Sequence, residues 1–249
     1  MRFSVKNHLV TFSIIILAWQ VVSYLQVINP MFLPSPYETL KEGFELIRNK
    51  TIILDLLHSM KRAVNGVAIA IVVGIPIGLI IGYYDNVYKY LDFLFDFLRS
   101  VPPIITFPLA LLIFGVGEAS RVAVIVFGCT TIMILNTSVG VHNSSKMRVN
   151  VAKIMGARPY QIFFRVIIFD AMPQIFAGIR VVFSLGIIIG IVTEMVVGTT
   201  YGLGSRAVYA QISYNTAELY VTIILIGMVG MCLNKSISFI ENRLVHWKN

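Results

Sequence analysis

The chain has 249 residues, 57% of them hydrophobic and only 13% charged, with a formal net charge of +8. So apolar a composition excludes an ordinary soluble domain, because the surface has to be covered by lipid. Nucleic acid is excluded as the reason for the positive charge: the Lys and Arg residues stand in loops between apolar runs, and no basic stripe is interleaved with aromatic rings.

Residues 8–28, preceded by Arg2 and Lys6, form a first apolar run of about 20 residues, long enough to cross a bilayer. No small-x-small cleavage site follows it, so it reads as an uncleaved span rather than a signal peptide, with Trp19 and Tyr24 towards a headgroup region. Residues 29–62 are the most polar part. Pro30, Pro34 and Pro36 make an extended entry, and Ser35 or Pro36 starts an amphipathic helix over 37–47. The charges from Glu38 to Asp55 read as a solvated helix surface.

The second span, 63–84, carries Gly74, Gly78 and Gly82 on one helix face, a stripe of small residues that lets another helix come close; Pro76 predicts a local bend. After a polar turn at 85–90, the third apolar segment, 91–115, is interrupted by Arg99-Ser100-Val101-Pro102-Pro103. Two prolines remove two backbone donors and push the preceding residues out of helical geometry. Broken backbone at membrane depth is tolerated only inside protein or beside water, so Pro102 and Pro103 mark a pathway. Arg99 either meets an anion there or snorkels to the surface.

Glu118 and Arg121 pair in a tight turn at 115–121, and the fourth span is 122–141. The loop 141–169 carries Lys146, Arg148, Lys153, Arg158 and Arg165 and no acid. Within it, 150–155 reads as a short helix stopped at Gly156, and Pro159 opens a second one. Such a knob either offers a grip to a soluble partner or only fixes topology by its charge. The fifth span, 167–197, holds Pro173, Gly178, Gly186 and Gly190, with Arg180 towards the loop side. Near its end come Thr193 and Glu194. A carboxylate there either serves the pathway or anchors the loop 198–204 by accepting its N–H groups. Gly198, Gly202 and Gly204 allow that loop to fold sharply as an outer gate, and 209–217 continues at the surface before the sixth span, 217–233. Six spans put both termini on the side of the acid-free loop, and the bias of basic loops towards the cytoplasm places that side inside.

No chemistry is legible within the chain. There is no G-x-x-x-x-G-K-[ST] phosphate loop and no G-x-S-x-G elbow. The four histidines have no metal-ligand spacing, and Cys129 and Cys232 read as small core residues.

The pattern A-x-x-x-G-A (Ala152, Gly156, Ala157), with Pro173 beyond it, resembles the coupling loop of ABC importer permeases. LPSP at 33–36, RSVPP at 99–103, FGVGEASR at 114–121 and TEMVVGTTYGLG at 193–204 follow the order of the nitrate/sulfonate/taurine/bicarbonate branch, from Leu33 to the C-terminus. One departure is Asn150-Val151-Ala152, where the family usually has Glu-Ala-Ala. The resemblance implies an all-α, type I permease fold of about six transmembrane helices. Residues 1–62 would form an N-terminal helix with its outer segment, and 63–249 the core. It further implies a homodimer in a bacterial inner membrane, with both termini cytoplasmic. Two ATPase subunits would hold Asn150, Ala152, Lys153, Gly156, Ala157 and Arg158. ATP and Mg would be bound by those partners and no cofactor by this chain. An extracytoplasmic binding protein would deliver solute near Glu118, Arg121, Gly202 and Gly204. Arg99 and the net charge favour an anion. The alternative, an ion- or proton-driven secondary transporter, calls for an internal repeat or a carboxylate relay, and neither is legible.

Overall fold

Ser35 opens the helix α2 (Pro36–Arg48) with a capping box. Its Oγ accepts the Glu38 N–H at 3.2 Å, Glu38 Oε2 accepts the Ser35 N–H at 2.9 Å, and Pro36 takes the first helical position. The computed structural model describes residues 5–244, and every regular element among them is helical. The preceding helix, α1 (Val5–Tyr24), is tied to this entry by Trp19, whose Nε1 donates to the Pro34 carbonyl at 2.9 Å and whose ring stacks on Tyr220.

α3 (Thr51–Tyr83) is a single helix of 33 residues with Pro76 inside it. It runs unbroken through the 62/63 division that the sequence suggests. The polar stretch before residue 63 is therefore the first turns of a span, and Asp55, Ser59 and Arg62 are buried on it. Asp55 is thus not the solvated surface charge expected for it. Its spacing of four and seven residues from Ser59 and Arg62 turns all three to one helix face.

The glycine stripe of α3 packs against α6 (Glu118–His142). A Cβ on Gly74 would stand 2.7 Å from Met133 Cβ, one on Gly78 2.6 Å from Thr137 Cβ, and one on Gly82 2.5 Å from the Ser138 carbonyl. Partners advance together along both chains, so α3 and α6 run parallel at backbone contact distance. α9 (Ile168–Val197) lies antiparallel on both: Gly178 meets Asn136, Gly186 meets Val67 and Gly190 meets Ile125. Val67, Ile125, Cys129, Met133 and Val182 fill the space between the three. Cys232, on α11 (Thr216–Leu244), is exposed rather than core.

The third apolar segment is not one straight helix. α4 (Asp85–Ser100) ends at Val101, a 3-10 turn follows at Pro103–Thr106, and α5 (Phe107–Phe114) continues; the two halves meet at 83°. Prolines at 102 and 103 cannot donate to the preceding turn, which is why the bend falls there. Pro103 fills the notch over Gly128 midway along α6, where a Cβ would stand 2.6 Å from Pro103 Cγ.

Among the described residues, four helices are long and apolar enough to cross a membrane: Thr51–Tyr83, Glu118–His142, Pro159–Val197 and Thr216–Arg243. The bent pair makes a fifth when counted as one span, and the apolar part of α1, Val10–Tyr24, is shorter. The C-terminal ends of α3 and α6 gather with α7 (Lys146–Ile154), α8 (Pro159–Ile162) and the start of α9 at one end. At the opposite end stand the N-termini of α3 and α6, the C-terminus of α9 and α10 (Leu203–Ile212).

Candidate functional site

At the end away from α7, three helices converge on the loop 198–204 through a buried network of charges. Glu194, 0% exposed in the last turn of α9, accepts from Ser59 Oγ at 2.8 Å, Arg62 Nη1 at 2.6 Å and the Gly204 N–H at 2.8 Å. Arg62 also makes a fork to Glu118 (2.6 and 2.7 Å) and donates to the Tyr201 carbonyl (2.9 Å). Arg121 donates to the Gly198 carbonyl at 2.7 Å and lies 3.7 Å from Glu118. Arg206 joins Asp55 to Glu218, and Asn215 donates to Glu218 and Glu42.

The centre of this network is a helix start. The first N–H groups of α10 have no partner within their own helix. Here the Gly202 N–H goes to Asp55 at 2.8 Å, the Leu203 N–H to Ser59 Oγ at 2.9 Å and the Gly204 N–H to Glu194. Two carboxylates at the positive end of a helix dipole are electrostatically well placed. Position 202 requires glycine, because a Cβ would stand 2.6 Å from Glu194 Oε2. Three arginines face four carboxylates, and their hydrogen bonds and ion pairs hold the backbone of the loop in place. Beside it opens a cavity of about 610 Å³ lined by Asp55, Tyr201, Arg206, Tyr209 and Glu218.

The residues read as one pathway fall into two sets of contacts. Glu194 joins Glu118, Arg121, Gly202 and Gly204 in the network, whereas the buried Thr193 stays outside it, its hydroxyl donating to the Gly190 carbonyl of its own helix. Arg99, Pro102 and Pro103 are at the bend instead. Arg99 is 58% exposed and 3.0 Å from Asp96, one turn before Pro102, which is itself exposed. Arg62, Asp55, Ser59 and Arg206 escape a reading of motifs; the spacing Asp55, Ser59, Arg62 on a helical face is the signal that finds three of them.

At the other end, α7 and α8 form the knob. α7 begins at Lys146, earlier than the 150–155 helix of the sequence reading, because Ser145 caps it by accepting the Arg148 N–H at 3.4 Å. Gly156 stops it at φ +79°, with the Ala157 N–H returning to the Ala152 carbonyl at 3.0 Å. Arg158 and Pro159 open α8, where Gln161 accepts the Arg158 N–H at 2.8 Å. Val149, Ala152, Ala157 and Phe163 pack inwards, whereas Asn150, Lys153 and Arg158 are exposed. So are Met147, Val151, Ile154 and Met155, which at spacings of four, three and one make an apolar ridge on the outside; Ile154 is 86% exposed.

Residues 74–247 match the family model of the binding-protein-dependent transport system inner membrane component. The putative aliphatic sulfonates transport permease protein SsuC of Bacillus subtilis is 29% identical over 249 residues, covering 100% of this chain and 90% of that protein. The nitrate import permease protein NrtB of Synechocystis sp. is 29% identical over 245 residues, 95% of this chain and 88% of its own length. Among solved structures, the inward-facing MetNI methionine ABC transporter superposes with a TM-score of 0.67 at 18% identity, covering 79% of this chain and 95% of that one. The fold is therefore that of a type I ABC importer permease, built here around α3, α6 and α9. The chain belongs to the family of binding-protein-dependent inner membrane transport components, and it is the permease subunit of an ABC importer.

Proposed function

We propose that two copies of this chain form the pathway by which a small anion enters a bacterial cell, with ATP and Mg bound by two cytoplasmic ATPase subunits and not by this chain. The observation that carries the reading is the apolar ridge Met147, Val151, Ile154 and Met155 on a basic helix outside the spans. Large apolar side chains gathered on one exposed face mark a protein contact. The acid-free charge of the same loop favours the cytoplasm for it, and with α1 crossing as a sixth span both termini would lie on that side. Asn150, Ala152, Lys153, Gly156, Ala157 and Arg158 then belong to the grip. The opposite end, with Glu118, Arg121 and the loop 198–204, faces an extracytoplasmic binding protein. Arg99, beside the bend, is the cation that a passing anion meets, and the nitrate and sulfonate permeases among its relatives support that class of solute.

The test is reconstitution of the chain with its ATPase and binding protein in proteoliposomes. Labelled nitrate and an alkyl sulfonate are offered with ATP inside, with and without a proton uncoupler. Uptake of either that needs ATP and ignores the uncoupler is expected. Uptake abolished by the uncoupler and independent of ATP would assign the chain to ion-driven transport instead.

A further inference from the structure

Residues 141–169 contain no acid, and the next residue, Asp170 in the first turn of α9, is one. It is only 12% exposed, and it reaches back across the knob. Asp170 Oδ2 accepts the Ser145 N–H at 3.0 Å and Arg148 Nε at 3.0 Å, while Oδ1 stands 2.9 Å from the same Nε. One carboxylate thus holds the cap residue of α7 and its first turn together.

The far end of α7 is held differently. It leaves through Gly156, in a left-handed conformation with open space around its Cα, and reaches α9 through α8 and a π-helical turn at Phe163–Ile167. Without that carboxylate, α7 would be held at its start only by the short link from α6 and by the packing of Val149 and Ala152, and it would tilt more easily about the Gly156 turn when pushed. Attached at both ends, it cannot pivot without carrying α9 along. α9 then runs as one helix to Glu194, about 36 Å away at 1.5 Å per residue, where the charge network begins.

We infer that Asp170 is the positioning residue that makes the knob rigid, so that a displacement of α7 becomes a displacement of α9. The inference deepens the proposed coupling role and rests on it for its transport consequence; the stiffness of α7 does not depend on it. Asp170→Ala removes both acceptors, and Asp170→Asn keeps an acceptor for Ser145 while losing the charge facing Arg148.

Two measurements test it. In the permease alone in nanodiscs, a spin label at Ile154→Cys on a Cys232→Ser background reports α7 whether or not any ATPase binds. The label is expected to become several-fold more mobile with Asp170→Ala, with Asp170→Asn in between. Mobility equal to the parent's overturns the inference by itself. In the full complex, Asp170→Ala is expected to keep ATP hydrolysis within about twofold of the parent while solute carried per ATP falls roughly five- to tenfold, the size of an ordinary coupling free energy. An unchanged ratio overturns the inference. Arg148→Asp combined with Asp170→Arg restores the ion pair in reverse and is expected to recover part of the ratio, which a carboxylate needed only for folding would not do. Absence of ATP-driven uptake in the parent complex would sink the proposed function and leave the label experiment to decide the role of Asp170.

Discussion

The two ends of this molecule solve opposite problems with the same kinds of residue. At the Glu194 end, charges other than the exposed Glu118 are buried and paired inside the chain, and the ends of three helices and a loop are locked together. At the α7 end, charged and apolar side chains are turned outwards and one carboxylate, Asp170, ties the knob to the body. A buried ion that loses its partner costs several kcal/mol, so the first end holds one geometry. Exposed contacts wait for a second surface, so the other end is built to be moved.

The largest expected effect comes from breaking the locked end. Glu194→Ala takes an acceptor from Arg62, from Ser59 and from the Gly204 N–H, and a loss of about 3–5 kcal/mol is expected. The thermal unfolding midpoint of the purified permease measures it. Glu194→Gln keeps an acceptor and is expected to insert normally but transport less; transport equal to the parent's would leave Glu194 a purely structural anchor. Next is the rod between the ends. Gly82→Leu forces α3 off the Ser138 carbonyl and is expected to cost about 1–3 kcal/mol, read as reduced abundance in the membrane.

At the α7 end, stability and function are expected to part company. Gly156→Val has room around it, but its φ of +79° costs about 1–2 kcal/mol, spent locally on the turn. The chain should stay folded while uptake per ATP drops. Ile154→Glu places a charge on the ridge and is expected to weaken capture of the ATPase subunit at least about tenfold, or about 1.4 kcal/mol, with an unchanged unfolding midpoint. An equal loss of stability from both substitutions would erase the contrast between the ends. A small effect on stability is expected from Arg99→Ala too, an exposed pair with Asp96 worth a few tenths of a kcal/mol. If anions pass it, uptake should fall despite that; uptake at the parent level would remove Arg99 from the pathway.

Much of the knob was legible because its signals are local. Gly156 stops a helix by its own backbone freedom, Pro159 starts one, and neither needs a distant residue. The glycine stripe on α3 was legible for the same reason, although the helix that it meets was not. The charge network was read only in part. Glu118, Arg121, Glu194, Gly202 and Gly204 stand in short motifs near the ends of spans. Arg62 and Asp55 sit within a mixed run of acids and bases that looks solvated when taken alone. Glu194 and Arg62 are 132 positions apart, and Asp55 and Arg206 are 151 apart. Asp170 was passed over because it begins the next helix.

By itself the sequence determined a lipid-embedded, all-helical chain, the stops and starts marked by Gly156, Pro159 and Pro36, and the basic knob between two spans, because hydropathy, proline and glycine act within a few residues of themselves. Only the tertiary structure decided which charges meet, that the bend at Pro102 and Pro103 seats over Gly128 of α6, and that Asp170 fastens α7. Whether a buried carboxylate is stable depends on donors from other helices, and their arrival is a property of packing.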